Sequence, residues 1–467
     1  MAVIAPFQAV RYNPLKISRM EEVVTPPYDV IDDRAQAAFL AKNPYNMIQL
    51  DLSKKTAQGG AMDDQRYEAA RELFEKWQQE EILVRDKRPS LYLYFVEYTH
   101  PSGRRLTRKG LVSLVQLAEF AEGIVKPHEK TFAGVTSDRL RLMDTCKAHF
   151  SQIFSLYSDE QNEVMQSLEE AKSEEPLVSV VDQDGCRHTL WAVQDPSAIA
   201  SVQRFFMDKS LYIADGHHRY TTALQLRQLA RQRGEVAVDD PYNFTVMYLC
   251  PMEDEGLSVL PTHRLVRLPK GKESSDVNSL MARFSSCFQI EEIGGGSREV
   301  LLSEVLSRID EHNQLPVGTR PFSTLFGLYH CGEDRCLLLG LKEGCMAEHV
   351  AHQPEALRQL DVVVLSDLIL EQLLGLPHGK AEEENLIEYF SDPDDALDVA
   401  VKENSADADH EHLLFLMNST TVAQVRQVAD EGLIMPHKST YFYPKILTGM
   451  VINKIVPGEK MLLLSEG

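Results

Sequence analysis

Three stretches of this chain gather acids, bases and hydroxyls densely enough to do chemistry. The first is Asp215-Gly216-His217-His218-Arg219. It lies between a β-prone run, Leu211 to Ala214, and a helical pattern carrying Ala223, Leu224, Leu226, Leu229 and Ala230. These residues therefore occupy a strand-to-helix turn, where unpaired backbone N–H groups meet the positive end of a helix dipole. Such an end favours an anion, phosphate above all. Gly216 lets a ligand approach the backbone. Arg219 supplies a cationic fork, and His217 and His218 supply donors that titrate near neutral pH. Asp215 reads equally as a helix cap or as a ligand for a Mg²⁺ bridging bound phosphates.

The second stretch is Pro127-His128-Glu129-Lys130-Thr131, a polar loop mixing a carboxylate, bases and a hydroxyl, as a transfer site needs. Glu129 is the candidate general base, since a carboxylate in hydrogen-bond reach can take a proton from an attacking hydroxyl. His128 and Lys130 would offset its charge, and Thr131 and Lys130 could touch substrate and phosphate. The third stretch, Met435 to Lys445, packs Lys438, Ser439, Thr440, Tyr441 and Lys445 between two prolines. It suggests a rigid pocket-lining loop in which Lys438 and Lys445 neutralise phosphoryl oxygens. Tyr28, Asp29 and Asn46 lie on proline-bounded turns and could line a substrate pocket, although ordinary turn chemistry accounts for them as well.

The elements that must hold these residues have clear signatures. Asp32 caps a helix over Arg34 to Lys42. Ile48, Leu50 and Leu52 alternate as in a strand. Asp63 to Glu81 reads as an amphipathic helix with Tyr67, Ala70, Phe74 and Trp77 on one side. Ser90 to Tyr98 and Arg105 to Leu117 read as a hairpin, and Arg139 to Ser151 as a helix whose Arg139, Arg141 and Lys147 form a solvated basic face. Leu177 to Val181 and Cys186 to Val193 make another hairpin. Phe244 to Leu249 is a buried strand, and His263 and Arg264 fall at a strand edge or turn. Beyond a polar stretch, Pro269 to Ser275, the pattern predicts helices over Asn278 to Phe288 and Arg298 to His312, then a hairpin from Phe322 to Leu341. A strand over His410 to Met417 and a helix over Val422 to Asp430 follow. The fold class is mixed α/β, divided as 1–84, 85–268 and 269–467.

Composition narrows the function. The chain has 467 residues and a formal net charge of −22, a poor match for non-specific grip on DNA or an anionic membrane. Seven scattered cysteines with no Cys-x-x-Cys pair fit neither a zinc ribbon nor a disulfide framework. A reducing cytoplasm, no signal peptide and no membrane span are the expectations.

The Asp-Gly-His-His-Arg turn resembles the phosphate-binding turn of the ParB/sulfiredoxin superfamily, and its His-His form is similar to the free-serine kinases within it. The ordered motifs Pro26 to Ile31, Asn43 to Asn46, Pro127 to Thr131, Ala214 to Tyr220, Leu260 to Leu265 and Met435 to Lys445 resemble a family catalogued as domain of unknown function ten-fifteen. The resemblance implies a ParB/sulfiredoxin-like unit around residues 85–265. It also implies a phosphotransferase that uses ATP, ADP or pyrophosphate with Mg²⁺ on a small hydroxyl compound, free L-serine first, with a homo-oligomer possible. Those kinases are shorter than this chain, so their catalytic acid cannot be carried over by position. Two other classes remain open. One is a nucleotide-binding switch protein without transferase activity. The other is a metal-dependent hydrolase built on His128, His217, His218 and Asp215.

Overall fold

The computed structural model describes all residues except 53–60, 235, 271–275 and 465–467; the side chains of 61–64, 317, 378 and 382 are also outside the description. The chain forms two compact units. Unit 1 comprises Met1–Ser258 and Phe442–Gly467, and unit 2 comprises Val259–Tyr441. The expected divisions at 84 and 268 differ from these. The reason is strand pairing: Ile4–Ala5 pairs with the strand Arg105–Gln116, which ties the N-terminus into the same sheet. Of the expected linker, residues 271–275 lie outside the described residues.

Unit 1 is mixed α/β. The strands of its main sheet are β1 (Ile4–Ala5), β2 (Leu91–Thr99), β3 (Arg105–Gln116), β4 (Val125–Lys126), β5 (Ile153–Tyr157), β6 (Val178–Val181), β7 (Arg187–Val193), β8 (Leu211–Asp215) and β9 (Phe244–Pro251). They form one sheet in the order β4-β8-β5-β9-β3-β2-β7-β6, with β1 on β3. Pairings β4–β8 and β5–β9 are parallel and the others antiparallel.

The helices are α1 (Asp33–Lys42), α2 (Ile48–Asp51), α3 (Ala61–Gln79), α4 (Ala133–Cys146), α5 (Glu163–Ala171), α6 (Pro196–Phe206) and α7 (His217–Arg233). Leu168 of α5, Val202 and Phe206 of α6, and Tyr220 and Ala223 of α7 share one core with Leu93, Leu111, Ile153, Ile213 and Met247 of the sheet. Each large side chain buried there contributes about 1.5–3 kcal/mol. Tyr220 also bonds both backbone groups of Ala118, giving its hydroxyl hydrogen to the carbonyl at 2.8 Å and accepting from the N–H at 3.0 Å. Helix α7 is thereby locked against the sheet.

Two local expectations in unit 1 fail. Residues Ile48–Asp51 are helical, with Asn46 ordering the entry to the turn; their alternation was too short to separate period two from a single helical turn. Helix α4 starts at Ala133 and ends at Cys146, where Lys147 takes a left-handed conformation (φ 51°).

In unit 2, β10 (His263–Pro269), β11 (Phe288–Ile293), β12 (Leu325–His330), β13 (Arg335–Leu341), β14 (Ile387–Phe390) and β15 (His410–Leu416) form an antiparallel sheet in the order β11-β13-β12-β15-β10-β14. The helices α8 (Val277–Phe284), α9 (Arg298–Gln314), α10 (Pro393–Ala406) and α11 (Val422–Asp430) accompany it. The helix expected to run to Phe288 ends at Phe284, and the chain enters β11 at Phe288. His263 and Arg264 are not at an edge: they are buried inside the sheet, in a strand paired on both sides. Among the described residues no helix is long and apolar enough to cross a membrane, and all seven cysteines are buried free thiols.

Candidate active site

Strand β8 ends at Asp215, and the chain turns through Gly216 directly into α7. Gly216 has φ 96° and is the N-cap, with no side chain capping the helix. A Cβ there would adopt a disfavoured backbone conformation and stand 2.9 Å from the Arg219 guanidinium. The first-turn N–H groups of α7 have no carbonyl within the helix to meet them. Seventeen residues of helix align behind them.

Asp215 does not cap that helix. Its carboxylate accepts from Arg219 Nη2 at 2.6 Å and from Lys445 Nζ at 3.1 Å. Burial by itself would raise the Asp215 carboxyl, but Lys445 and Arg219 together hold it well below the usual carboxylate range. Arg219 is buried and also donates through Nη1 to the carbonyl of Gln152. It braces the turn from beneath and holds Asp215 in place. Lys445 comes from the C-terminal segment that returns to unit 1.

Parallel pairing of β4 with β8 carries the loop after Lys126 up beside the turn. Two contacts fix it there. The His128 N–H donates to His217 Nε2 at 3.2 Å, and the Phe132 N–H donates to His218 Nε2 at 3.0 Å. An Nε2 that accepts carries no proton, so the His217 proton sits on Nδ1. That nitrogen faces Glu129 Oε2 at 3.6 Å. Burial pushes His217 well below its ordinary pKa and His128 down to about 4. The two rings meet edge to face at 4.6 Å. His128 is therefore neutral and does not offset the charge of Glu129 as its type suggested. Both His217 and His218 serve as acceptors that clamp the loop. Lys130 is exposed and Thr131 half-buried on the same loop.

A small pocket beside the turn is lined by Tyr28, Asp51, Arg139, His149 and Arg219. Arg139 stacks on the Tyr28 ring at 4.4 Å and bonds Asp138 and the backbone of Asp51. It is thus no part of a solvated basic face, and its partner Asp51 went unremarked in the sequence. The signal lay in the aromatic and acidic neighbours that only folding supplies. Burial raises the Asp51 carboxyl, with Arg139 and Arg219 opposing. Asp29 is exposed next to Tyr28, and its charge acts on Arg219. Asn46 is fully buried, its amide spent on the Glu22 carbonyl at 2.6 Å and the Ile48 N–H at 3.0 Å. It holds the fold and offers nothing to a substrate.

Lys438, Ser439, Thr440 and Tyr441 belong to unit 2. Lys438 has φ 55° and its carbonyl accepts from Arg264. The Ser439 hydroxyl donates to the Pro436 carbonyl at 2.6 Å. Among the described residues no three His, Cys, Asp or Glu side chains group as a metal-binding cluster.

A family profile matches residues 4–363, a span that takes in the Gly216 turn, the Glu129 loop and the Tyr28 pocket. The chain belongs to that family, described as "Protein of unknown function (DUF1015)". No curated protein sequence matches this DUF1015 chain. Among solved structures it is similar to a free serine kinase in complex with AMP, at 12% identity and TM-score 0.32, covering 70% of this chain and 85% of that one. A conserved hypothetical protein from Pyrococcus furiosus shares 13% identity at TM-score 0.31, covering 74% and 94%. SbnI with a C-terminal truncation from Staphylococcus aureus shares 9% at TM-score 0.31, covering 73% and 86%. At these scores the likeness fixes no residue correspondence.

Proposed function

We propose that unit 1 is a phosphotransferase moving a phosphoryl group from ATP, ADP or pyrophosphate to a small hydroxyl compound, free L-serine first. The observation that carries this is one juxtaposition. An uncapped helix end entered through a left-handed glycine stands beside a loop whose Glu129 carboxylate faces His217 Nδ1. The helix end suits donor phosphates. Phosphoryl transfer is mostly positioning and charge neutralisation, and Lys445, Arg219 and Arg139 give the site its positive field. Glu129 takes the hydroxyl proton, and the proton on His217 Nδ1 orients it.

Mg²⁺ in such a reaction keeps several waters and is held largely by the donor's own phosphates. The lack of a dedicated three-ligand cluster among the described residues fits that mode. Both oxygens of Asp215 hold cations, so a Mg²⁺ bound there would have to displace Lys445. The metal, when bound, neutralises charge on the transferring group.

The test is purified protein with Mg²⁺, L-serine and each donor in turn, read by mass spectrometry for O-phosphoserine. Product with at least one donor is expected. No product with any donor or small hydroxy acceptor, together with nucleotide binding, would favour the switch-protein class instead.

A further inference from the structure

Alternation along the strands of unit 1 sends Leu93, Leu111, Ile153 and Met247 toward the helices. Tyr94, Arg108, Phe154 and Tyr248 go to the opposite face. Arg108 is completely buried there, its guanidinium 4.8 Å from the Phe154 ring centroid and 5.5 Å from that of Tyr248. None of its three side-chain nitrogens makes a hydrogen bond of ordinary geometry with any described residue, and the polar group that interacts with it most directly is the neutral Tyr248 hydroxyl. The carboxylate that feels its charge, Asp254, is bonded to the backbone N–H groups of Gly256 at 2.9 Å and Lys109 at 3.4 Å. A buried cation without a charged, well-aligned acceptor is among the costliest things a fold can hold, unless an anion completes it.

Its position indicates which anion. Phe154, on which Arg108 stacks, is the cross-strand neighbour of Asp215. Strands β9 and β5 separate β3 from β8, but the Arg108 guanidinium reaches over Phe154 of β5, the strand next to the phosphate turn. The C-terminal segment lies across both: Phe442 packs on Phe154 at 5.6 Å, Tyr443 on Tyr98 at 5.4 Å, and Lys445 reaches Asp215. A buried chain, Asp182 to His188 to Tyr94, with contacts of 3.0 and 2.9 Å, receives the Leu447 N–H at 3.4 Å and fixes where that segment lands.

We infer that Arg108 anchors a carboxylate of the acceptor molecule, which enters when residues 442–447 lift and reclose. The guanidinium fork matches two coplanar oxygens, and the phosphates already have their place at the helix end. The word acceptor rests on the proposed phosphotransfer; the carboxylate subsite does not.

The experiment compares L-serine, D-glycerate and L-serinamide by calorimetry and thermal shift, in wild type, Arg108→Met and Arg108→Lys. L-serine and D-glycerate should bind and stabilise the wild type, and L-serinamide, without a carboxylate, should bind roughly 10- to 100-fold more weakly. Arg108→Met should unfold no earlier than wild type without ligand, because it removes an unpaired charge, and should lose the discrimination. Arg108→Lys should keep part of it. Equal binding of L-serine and L-serinamide by the wild type overturns the inference with no variant needed, as does unchanged discrimination in Arg108→Met. Carboxylate-selective binding without any phosphorylated product would instead leave the subsite standing and remove the phosphotransfer reading.

Discussion

At the scale of single residues, the site depends on which nitrogen of His217 holds a proton. Because Nε2 accepts the His128 N–H, Nδ1 must carry the proton, and it faces Glu129 Oε2 at 3.6 Å. A motif of two adjacent histidines suggested two phosphate donors, yet both spend Nε2 on backbone N–H groups of the neighbouring loop. Sequence shows that a histidine is present; the partner that decides its tautomer comes from another strand. Glu129→Gln should lower turnover on the order of 10²–10⁴-fold, the usual scale for general acid–base help, while donor affinity stays near wild type. Steady-state kinetics beside calorimetric donor titration checks this. Near-normal turnover would move the base elsewhere, with Asp29 next.

At the scale of elements, one turn and one returning segment make the site. The turn requires Gly216: Gly216→Ala should cost about 1–3 kcal/mol in strain at φ 96°. Donor binding should fall with it, as the Arg219 guanidinium, only 2.9 Å from the added Cβ, is pushed aside. The segment is pinned by Lys445 on the half-buried Asp215 carboxylate. Lys445→Met leaves Arg219 as the remaining cation on Asp215, and hydrogen exchange at 442–447 should rise while β3 and β9 stay protected. Unchanged exchange in that segment would mean that Lys445 neutralises the turn without holding the segment down. The elements themselves were largely visible in the sequence. Helix α11 spans the residues its pattern predicted, and the β2–β3 and β6–β7 hairpins sit within a residue or two of their signals. Residues 48–51 misled because four residues hold too little periodicity to choose a structure.

At the scale of the whole molecule, buried neutral histidines make stability depend on pH. Burial holds His128, His149 and His263 down to about 4, and His217 further below its ordinary value. The unfolded chain takes up these protons near pH 6.5 and the folded chain does not, so stability is intact above 6.5 and lost as pH falls toward 4. A histidine held down to about 4 contributes on the order of 3 kcal/mol across that window. Asp254, raised to about 6 by burial, acts oppositely, weakening the fold as pH rises from its ordinary value toward 6. Burial raises Asp51, Asp184 and Asp361 as well, but it also lowers His100, His188 and His412. Imidazoles therefore outnumber the raised carboxyls, so urea midpoints should decline from pH 6.5 to 4.5, and His128→Gln should flatten the slope. A level profile over that range would contradict the burial of these rings in a neutral state.

The sequence alone determined the local chemistry: a glycine turn at a helix entry, a carboxylate in a polar loop, and strands whose apolar period marks a sheet. These depend on neighbours a few residues away, and the local pattern specifies them. The burial of Arg108 was not legible, since Leu111, Val112, Ser113, Leu114 and Val115 are buried on both parities of β3 and the alternation singles out neither face. Tertiary structure alone decided that Arg139 pairs with Asp51, that Lys445 crosses 230 positions to reach Asp215, and that Asn46 is spent on the backbone. Those outcomes follow from strand order and chain return. They are set by which apolar faces are buried together, and no local pattern encodes that.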